Sequence, residues 1–240
     1  MGLLDLIFPK HCVGCSKEGN YFCPKCLTTI KRVRQICPVC ERPTPFGQTH
    51  TFCRTRNSLD GLISLFTYEG IVRGAIHKLK YKFVTDLESE FWKIIQSSLE
   101  KRGEEILVLK RFISSESNLF IAEEKPVIVP IPLYWYKEHF RGFNQSSLFG
   151  KRLASCFSLS FSDKILVRAR SVPSQTKLTQ GERMENVKGI FRISPNILIS
   201  QYHNILLVDD VWTTGATMKE ATKTLKIAGV KTVWGLTVAR

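Results

Sequence analysis

The chain reads as an α/β protein, a parallel and doubly wound sheet preceded by a small cysteine-rich unit. Three observations carry that reading. From residue 59 onward, short apolar runs alternate with helical patterns through short connections, as βα units of a parallel sheet do. One of these runs, Ile205-Leu-Leu-Val208, leads into two carboxylates and a small hydroxyl-rich turn. Ligands of such sheets bind off the carboxyl ends of the strands. Seven of the eight cysteines fall within residues 12–53, which sets that stretch apart.

Taken in order, residues 59–66 form a first strand. Residues 71–83 follow as a helix with Val72, Ile76, Leu79 and Phe83 on one face and a basic cluster of Arg73, His77, Lys78, Lys80 and Lys82. A second helix spans 86–101, with Leu87, Phe91, Ile94, Ile95 and Leu99 periodic. Residues 102–125 are charged and Ser-rich and read as a loop-rich insertion. Val127-Ile-Val-Pro-Ile131 is a strand, and Pro130-x-Pro132 keeps the chain extended and stops ladder pairing. A basic, aromatic loop runs from there to Arg141-Gly-Phe-Asn-Gln145. Residues 148–157 form a helix holding Cys156, and 164–167 a short strand. The polar stretch 168–186 suits a hairpin or lid. Residues 205–208 and 232–238 are the last strands. Met218, Ala221, Leu225 and Ala228 share one face of the helix between them, closed by Gly229.

The length suits one good core plus a small satellite. We divide the chain into a cysteine-rich unit, 1–58, and an α/β domain, 59–240. The formal net charge of +14 is spread over both parts. It points to polyanions, either nucleic acid or phosphorylated metabolites. No run approaches the 18 apolar residues of a membrane span. The N-terminus lacks the basic region of a signal peptide, so a cytoplasmic location is expected.

The cysteines occur as Cys12-x-x-Cys15, Cys23-x-x-Cys26, Cys37-x-x-Cys40 and Cys53. Repeated C-x-x-C in a cytosolic chain points to zinc rather than disulfide. Each pair lies in a tight turn that aims two thiolates at one ion, and two pairs complete a tetrahedron. A unit this short buries little apolar surface, so the metal supplies folding energy. Sequential use makes Cys12, Cys15, Cys23 and Cys26 one complete site; a cross-brace would instead join Cys12 and Cys15 with Cys37 and Cys40. In the favoured sequential scheme Cys37, Cys40 and Cys53 lack a fourth thiolate, because Arg56 stands where a last C-x-x-C would end. His50 is a candidate fourth ligand, but a lone histidine in a Thr-rich loop reads as solvated. The second site is therefore expected to be absent or degenerate.

Asp209 and Asp210 end the apolar run, and Thr213-Thr214-Gly215-Ala216-Thr217 follows at the start of a helix. Unpaired N–H groups and the helix dipole favour a phosphate there. Thr hydroxyls add donors, and glycine allows close approach. Adjacent carboxylates suit vicinal hydroxyls. The pattern describes a ribose phosphate site.

This segment resembles the phosphoribosyl pyrophosphate (PRPP) motif of type I phosphoribosyltransferases. That resemblance assigns Asp209 and Asp210 to the ribose and Thr213, Thr214, Gly215, Ala216 and Thr217 to the 5′-phosphate. The chain as a whole resembles the ComF family. The matching elements are the N-terminal knuckles, His77-x-Leu79-Lys80-Tyr81, Val129-Pro-Ile-Pro132, Arg141-Gly-Phe-Asn-Gln145, and Arg168 with Gln175, Leu178, Arg183 and Asn186. The resemblance implies a type I phosphoribosyltransferase-like sheet with an N-terminal zinc-knuckle domain. It also implies a link to natural transformation and DNA use, with single-stranded DNA and DNA-uptake proteins as partners. A catalytic member would displace pyrophosphate from C1 of PRPP with Mg²⁺ bound to the substrate. The loop after Pro132 would then offer donors to the pyrophosphate. Arg141, with Lys80 or Arg183, would supply counter-charge. Asp210 would accept a proton from the acceptor.

Overall fold

The computed structural model describes residues 9–81, 85–101, 112, 125–170 and 180–240. Its centre is a four-stranded parallel sheet. The strands are β1 (Gly61–Phe66), β2 (Val127–Pro130), β5 (Asn204–Val211) and β6 (Thr232–Ala239), in the order β1-β6-β5-β2. The register sets Leu206 opposite both Ile128 and Trp234. A separate antiparallel pair joins β3 (Leu166–Arg168) to β4 (Phe191–Ile193).

The central strands are apolar throughout because both faces are covered. Leu206 and Val208 of β5 point into one core with Ile63, Leu65, Trp234 and Leu236. Three helices close that face: α2 (Gly70–Tyr81), α3 (Thr85–Lys101) and α5 (Gln145–Phe157). Ile205 and Leu207, one residue out of phase, point into the opposite core with Leu62, Val129 and Val233. That face is closed by Met218, Ala221 and Leu225 of α7 (Ala216–Ile227) and by the β3–β4 pair. Period-two alternation within β5 thus separates two cores, and the strand's carboxyl end emerges between them.

The cysteine-rich segment lies against this body. Its described residues include a short α-helix, α1 (Pro24–Leu27), and two turns built alike. In the first, Ser16 N–H donates to Cys12 O at 2.9 Å with Ser16 at φ +61°; in the second, Glu41 N–H donates to Cys37 O at 2.8 Å with Glu41 at φ +60°. Left-handed backbone costs an L-residue about 1–2 kcal/mol, so the knuckle geometry, not the residue, dictates it. Residues 32–36 cover the open edge of β1. The Gln35 amide donates to Ser64 O at 2.9 Å and accepts from Ser64 N–H at 3.0 Å, replacing a neighbouring strand. The first knuckle packs on α2 at Gly74, where a β-carbon would come within 2.9 Å of Val13 O.

Several expectations change. The stretch after Pro132 is not all loop, since Trp135–Arg141 forms a helix, α4, ended by Gly142 at φ +77°. The acid pair lies inside β5, which extends to Val211. Of residues 168–186, which read as a hairpin or lid, 168–170 and 180–186 are described. β3 and β4 bracket them, and residues Gln180–Asn186 form a helix, α6. Gln175, Leu178 and most of the 102–125 insertion lie outside the described residues, as does the end of the first predicted helix at Lys82 and Phe83. Within the insertion Phe112 is buried, its ring 6.0 Å from that of Trp234.

Candidate functional site

Three segments converge where β5 ends. The first is the acid pair. Ser146, in the first turn of α5, donates its hydroxyl to Asp209 Oδ1 at 2.9 Å. The Asp210 N–H donates to the same oxygen at 2.8 Å. Asp210 is buried, and its Oδ2 lies 2.7 Å from Lys80 Nζ at the end of α2. Burial, then the neighbouring Asp210 charge, push the Asp209 carboxyl up to about 7, although Ser146 and the Asp210 N–H favour its ionised form. Burial works to lower Lys80, but Asp210 and then Asp209 outweigh it and hold the ammonium above its ordinary pKa.

The second segment is Arg141-Gly-Phe-Asn-Gln145, which ties the site together. Asn144 caps α5 by accepting from Ser146 N–H at 3.0 Å, and its amide donates to Ile131 O at 3.0 Å. Gln145 donates to Leu79 O at 3.1 Å and accepts from Arg141 Nη1 at 3.3 Å. Asn144 thereby holds the loop before Pro132, Gln145 holds the end of α2 beside Lys80, and Ser146 holds Asp209.

The third is the turn Thr213–Thr217, which opens α7. Gly215 is its cap at φ +68°, and a β-carbon there would sit 2.1 Å from the Trp212 ring. Only glycine satisfies both the backbone and the indole. The turn encloses a small cavity of about 30 Å³ lined by Asp209, Trp212, Thr213 to Met218 and Thr237. The α7 amino end faces it.

Pro132, Lys80, Arg141, Asp209, Asp210 and residues 213–217 are all described. The Asp210–Lys80 ion pair and the Arg141–Gln145 contact tie the basic residues to this end of the sheet. Arg183 lies in α6, and its side chain is outside the described residues. Sequence reasoning gave no role to Ser146, Asn144, Gln145 or Arg168. The Arg168 guanidinium stands 5.9 Å over Phe191, and its Nε is buried without a partner among the described residues. Burial lowers its pKa, while Asp209 acts to raise it. Ser146 carries no local motif.

The cysteines form two sets. Cys12, Cys15, Cys23 and Cys26 bring four thiols together, as the sequential scheme expects, and the cross-brace is not formed. The second set is complete: Cys37, Cys40, His50 and Cys53 place their ligand atoms within 4.8 Å of one another. His50 is therefore not a solvated residue, and the second site is neither absent nor degenerate. Its Nδ1 lies 3.4 Å from Cys40 Sγ, and its ring stacks on Phe52 at 5.0 Å. The spacing His50-x-x-Cys53 repeats that of the other pairs, and this was the available signal.

Both sets fit zinc. Tetrahedral coordination at about 2.3 Å puts thiolates about 3.8 Å apart, and Cys15 and Cys23 sulfurs are 3.6 Å apart. Without metal the thiols split. Burial pushes Cys12 up, but backbone groups of Cys23, Cys15 and Gly14 outweigh it and bring it down to about 6. Hydrogen bonds with Cys23 and Cys15 hold the Cys26 proton and push that thiol up to about 12. Cys37 comes down to about 7 against its burial, through backbone groups of Cys40 and His50, while burial and its neighbours push Cys53 up to about 11. A divalent ion removes the repulsion that causes this split. Zinc is structural here, since each set offers four protein ligands and no open position.

The comparisons with known proteins agree with both halves. Residues 3–55 match the double zinc ribbon domain and residues 143–239 the phosphoribosyl transferase domain. The chain is 27% identical over 229 residues to competence protein F of Haemophilus influenzae, covering 94% of this chain and 89% of that protein. It is 29% identical over 220 residues to competence protein ComFC of Bacillus subtilis, covering 87% and 79%. The DNA utilization protein YhgH of Escherichia coli K12 is 26% identical over 218 residues, covering 88% and 86%. These relatives and the two domain matches support a ComF-family protein. Its fold is the type I phosphoribosyltransferase-like sheet carrying an N-terminal zinc-binding cysteine cluster. Among the described residues, no helix is long and apolar enough to cross a membrane.

Proposed function

We propose that this ComF-family protein binds Mg²⁺-PRPP and transfers its phosphoribosyl group to an acceptor, in the handling of DNA taken up or used by the cell. The observation that carries the reading is the continuity of the site. One strand end supplies Asp209 and Asp210, and residues 213–217, two positions further on, line a small glycine-capped cavity at a helix amino end. In this reading residues 213–217 hold the 5′-phosphate. The acid pair orients the ribose hydroxyls, with Ser146 fixing Asp209 and Lys80 fixing Asp210. The C1–O bond to pyrophosphate breaks and its electron pair leaves with the pyrophosphate. The acceptor lone pair forms the new bond to C1, and its proton passes to Asp210. Arg141 supplies counter-charge to the leaving group. Mg²⁺ held on the substrate oxygens would neutralise pyrophosphate charge. Residues 1–58 serve as the zinc unit and 59–240 as the transferase-like domain.

The names of the relatives, competence protein and DNA utilization protein, support the DNA-linked role. A second reading, a PRPP-sensing adaptor that handles single strands, is favoured by α4. Trp135, Tyr136 and Phe140 are all exposed there, next to His139 and Arg141. Incubation with PRPP, Mg²⁺ and a panel of bases, followed by pyrophosphate release, tests the first reading. Turnover that is lost in Asp209→Asn/Asp210→Asn supports it. PRPP binding without turnover on any acceptor replaces it with the second.

A further inference from the structure

The second zinc knuckle is joined to the anion turn by one side chain. Glu41 follows the ligand Cys40 in the left-handed position of its knuckle. The equivalent residue of the first knuckle, Ser16, is exposed and simply ends the turn. Glu41 instead reaches across to α7, where Lys219 Nζ lies 3.3 Å from its Oε1. The same ammonium donates to Thr214 O at 3.3 Å and stands 5.3 Å over the Trp212 ring. Trp212 in turn blocks any side chain at Gly215. Lys219 thus touches the middle of the turn and the indole beneath it.

A cation in the first turn of a helix opposes the helix dipole. Lys219 is held there by a carboxylate, a carbonyl and an aromatic face, each of which favours positive charge. Its remaining exposure is 25%. Of these three partners only Glu41 lies outside residues 212–217, and its backbone is fixed by the knuckle that Cys37, Cys40, His50 and Cys53 form.

We infer that Glu41 is a positioning residue for the anion turn, coupling the Cys37–Cys40–His50–Cys53 zinc centre to Thr213–Thr217 through Lys219. Zinc fixes the knuckle, the knuckle fixes Glu41, and Glu41 fixes the ammonium that pins Thr214. The inference rests on the reading of 213–217 as a phosphate site only for its effect on binding; the coupling itself does not need a ligand.

Hydrogen exchange of the amides of residues 212–217 tests the coupling in the zinc-loaded protein without any ligand. Glu41→Gln and Lys219→Met should each speed exchange in this segment several-fold while β6 and α5 keep wild-type rates and the zinc content stays unchanged. Cys53→Ser, which dismantles the second centre, should reproduce the effect. Ribose 5-phosphate, titrated by calorimetry, should bind about two- to fivefold more weakly to Glu41→Gln, the size expected of a partly exposed pair. Wild-type exchange in both Glu41→Gln and Lys219→Met overturns the inference. If wild-type protein fails to bind ribose 5-phosphate while exchange responds as expected, the phosphate reading falls and the coupling stands.

Discussion

The Lys80 ammonium lies 2.7 Å from the Asp210 carboxylate, joining the end of α2 to the end of β5. Both groups are largely shielded, so each is the other's main compensation for lost water. In the proposed reading the pair would also keep Asp210 in place before a sugar binds. Lys80→Met leaves a shielded carboxylate without its partner. We expect a loss of about 1–3 kcal/mol in urea unfolding and weaker PRPP binding. Asp210→Asn in the Lys80→Met background should recover part of the stability, because the stranded charge is gone. Equal and additive losses in the double-mutant cycle would show that the ion pair contributes nothing.

Zinc content distinguishes one metal centre from two. The four-ligand sets predict about two zinc ions per chain by elemental analysis. His50→Ala should leave about one tightly held ion, and His50→Cys should retain both, since a thiolate can take the imidazole's place. Full zinc content in His50→Ala would remove His50 from the ligand set.

Asp209 sets a pH dependence. Its folded-state pKa is raised to about 7, against about 3.9 for an unperturbed aspartate. Between those values the folded chain holds a proton that the unfolded chain has lost. This contribution to stability is therefore fully present below pH 4, declines as pH rises, and is gone above about 7. The melting temperature of wild type relative to Asp209→Asn should fall across that window. Ser146→Ala removes a donor that favours the carboxylate, so the window should extend to higher pH. A difference between wild type and Asp209→Asn that does not vary with pH would refute the assignment.

The strands, most helices and the acid pair were legible because their signals are local. Ile205 to Val208 is apolar on both sides, and residues 213–217 carry their chemistry in five consecutive positions. The ties were not legible, because they are long-range. Ser146 meets Asp209 across 63 positions, and Glu41 meets Lys219 across 178. Nothing in the local pattern marks either residue. His50 was visible by spacing, but base-rate reasoning about a lone histidine overrode it. The helix Trp135–Arg141 was hidden by the prolines before it and by aromatic residues that face solvent rather than a core.

Those aromatics bear on DNA. Trp135 is 65% and Phe140 79% exposed, and base stacking on such rings is worth about 1–3 kcal/mol per base. A labelled single-stranded oligonucleotide should bind at low salt and weaken steeply as salt rises, given the charge of +14. Trp135→Ala/Phe140→Ala should weaken binding at every salt concentration while leaving the salt slope unchanged, because it removes no phosphate contact. An unchanged affinity would confine α4 to a role near the substrate.

Arg168 offers a way to locate the pyrophosphate. Its guanidinium is partly desolvated, its Nε has no partner among the described residues, and the Asp209 charge reaches it. A half-buried guanidinium whose Nε lacks a partner among the described residues is suited to an anion carrying oxygens in a plane or fork. In the proposed reading the turn at 213–217 takes the 5′-phosphate, which would leave Arg168 to face the group at C1. PRPP and ribose 5-phosphate differ only there. We expect Arg168→Met to weaken PRPP binding by at least tenfold while changing ribose 5-phosphate binding little, and Arg168→Lys to recover only part of the loss because it keeps charge without the fork. Arg141→Met should show the same preference if it faces the same group, and the two losses should then be non-additive. Equal weakening of both ligands would place Arg168 behind the acid pair as a support for Asp209, and the pyrophosphate would have to be held from the Arg141 side alone.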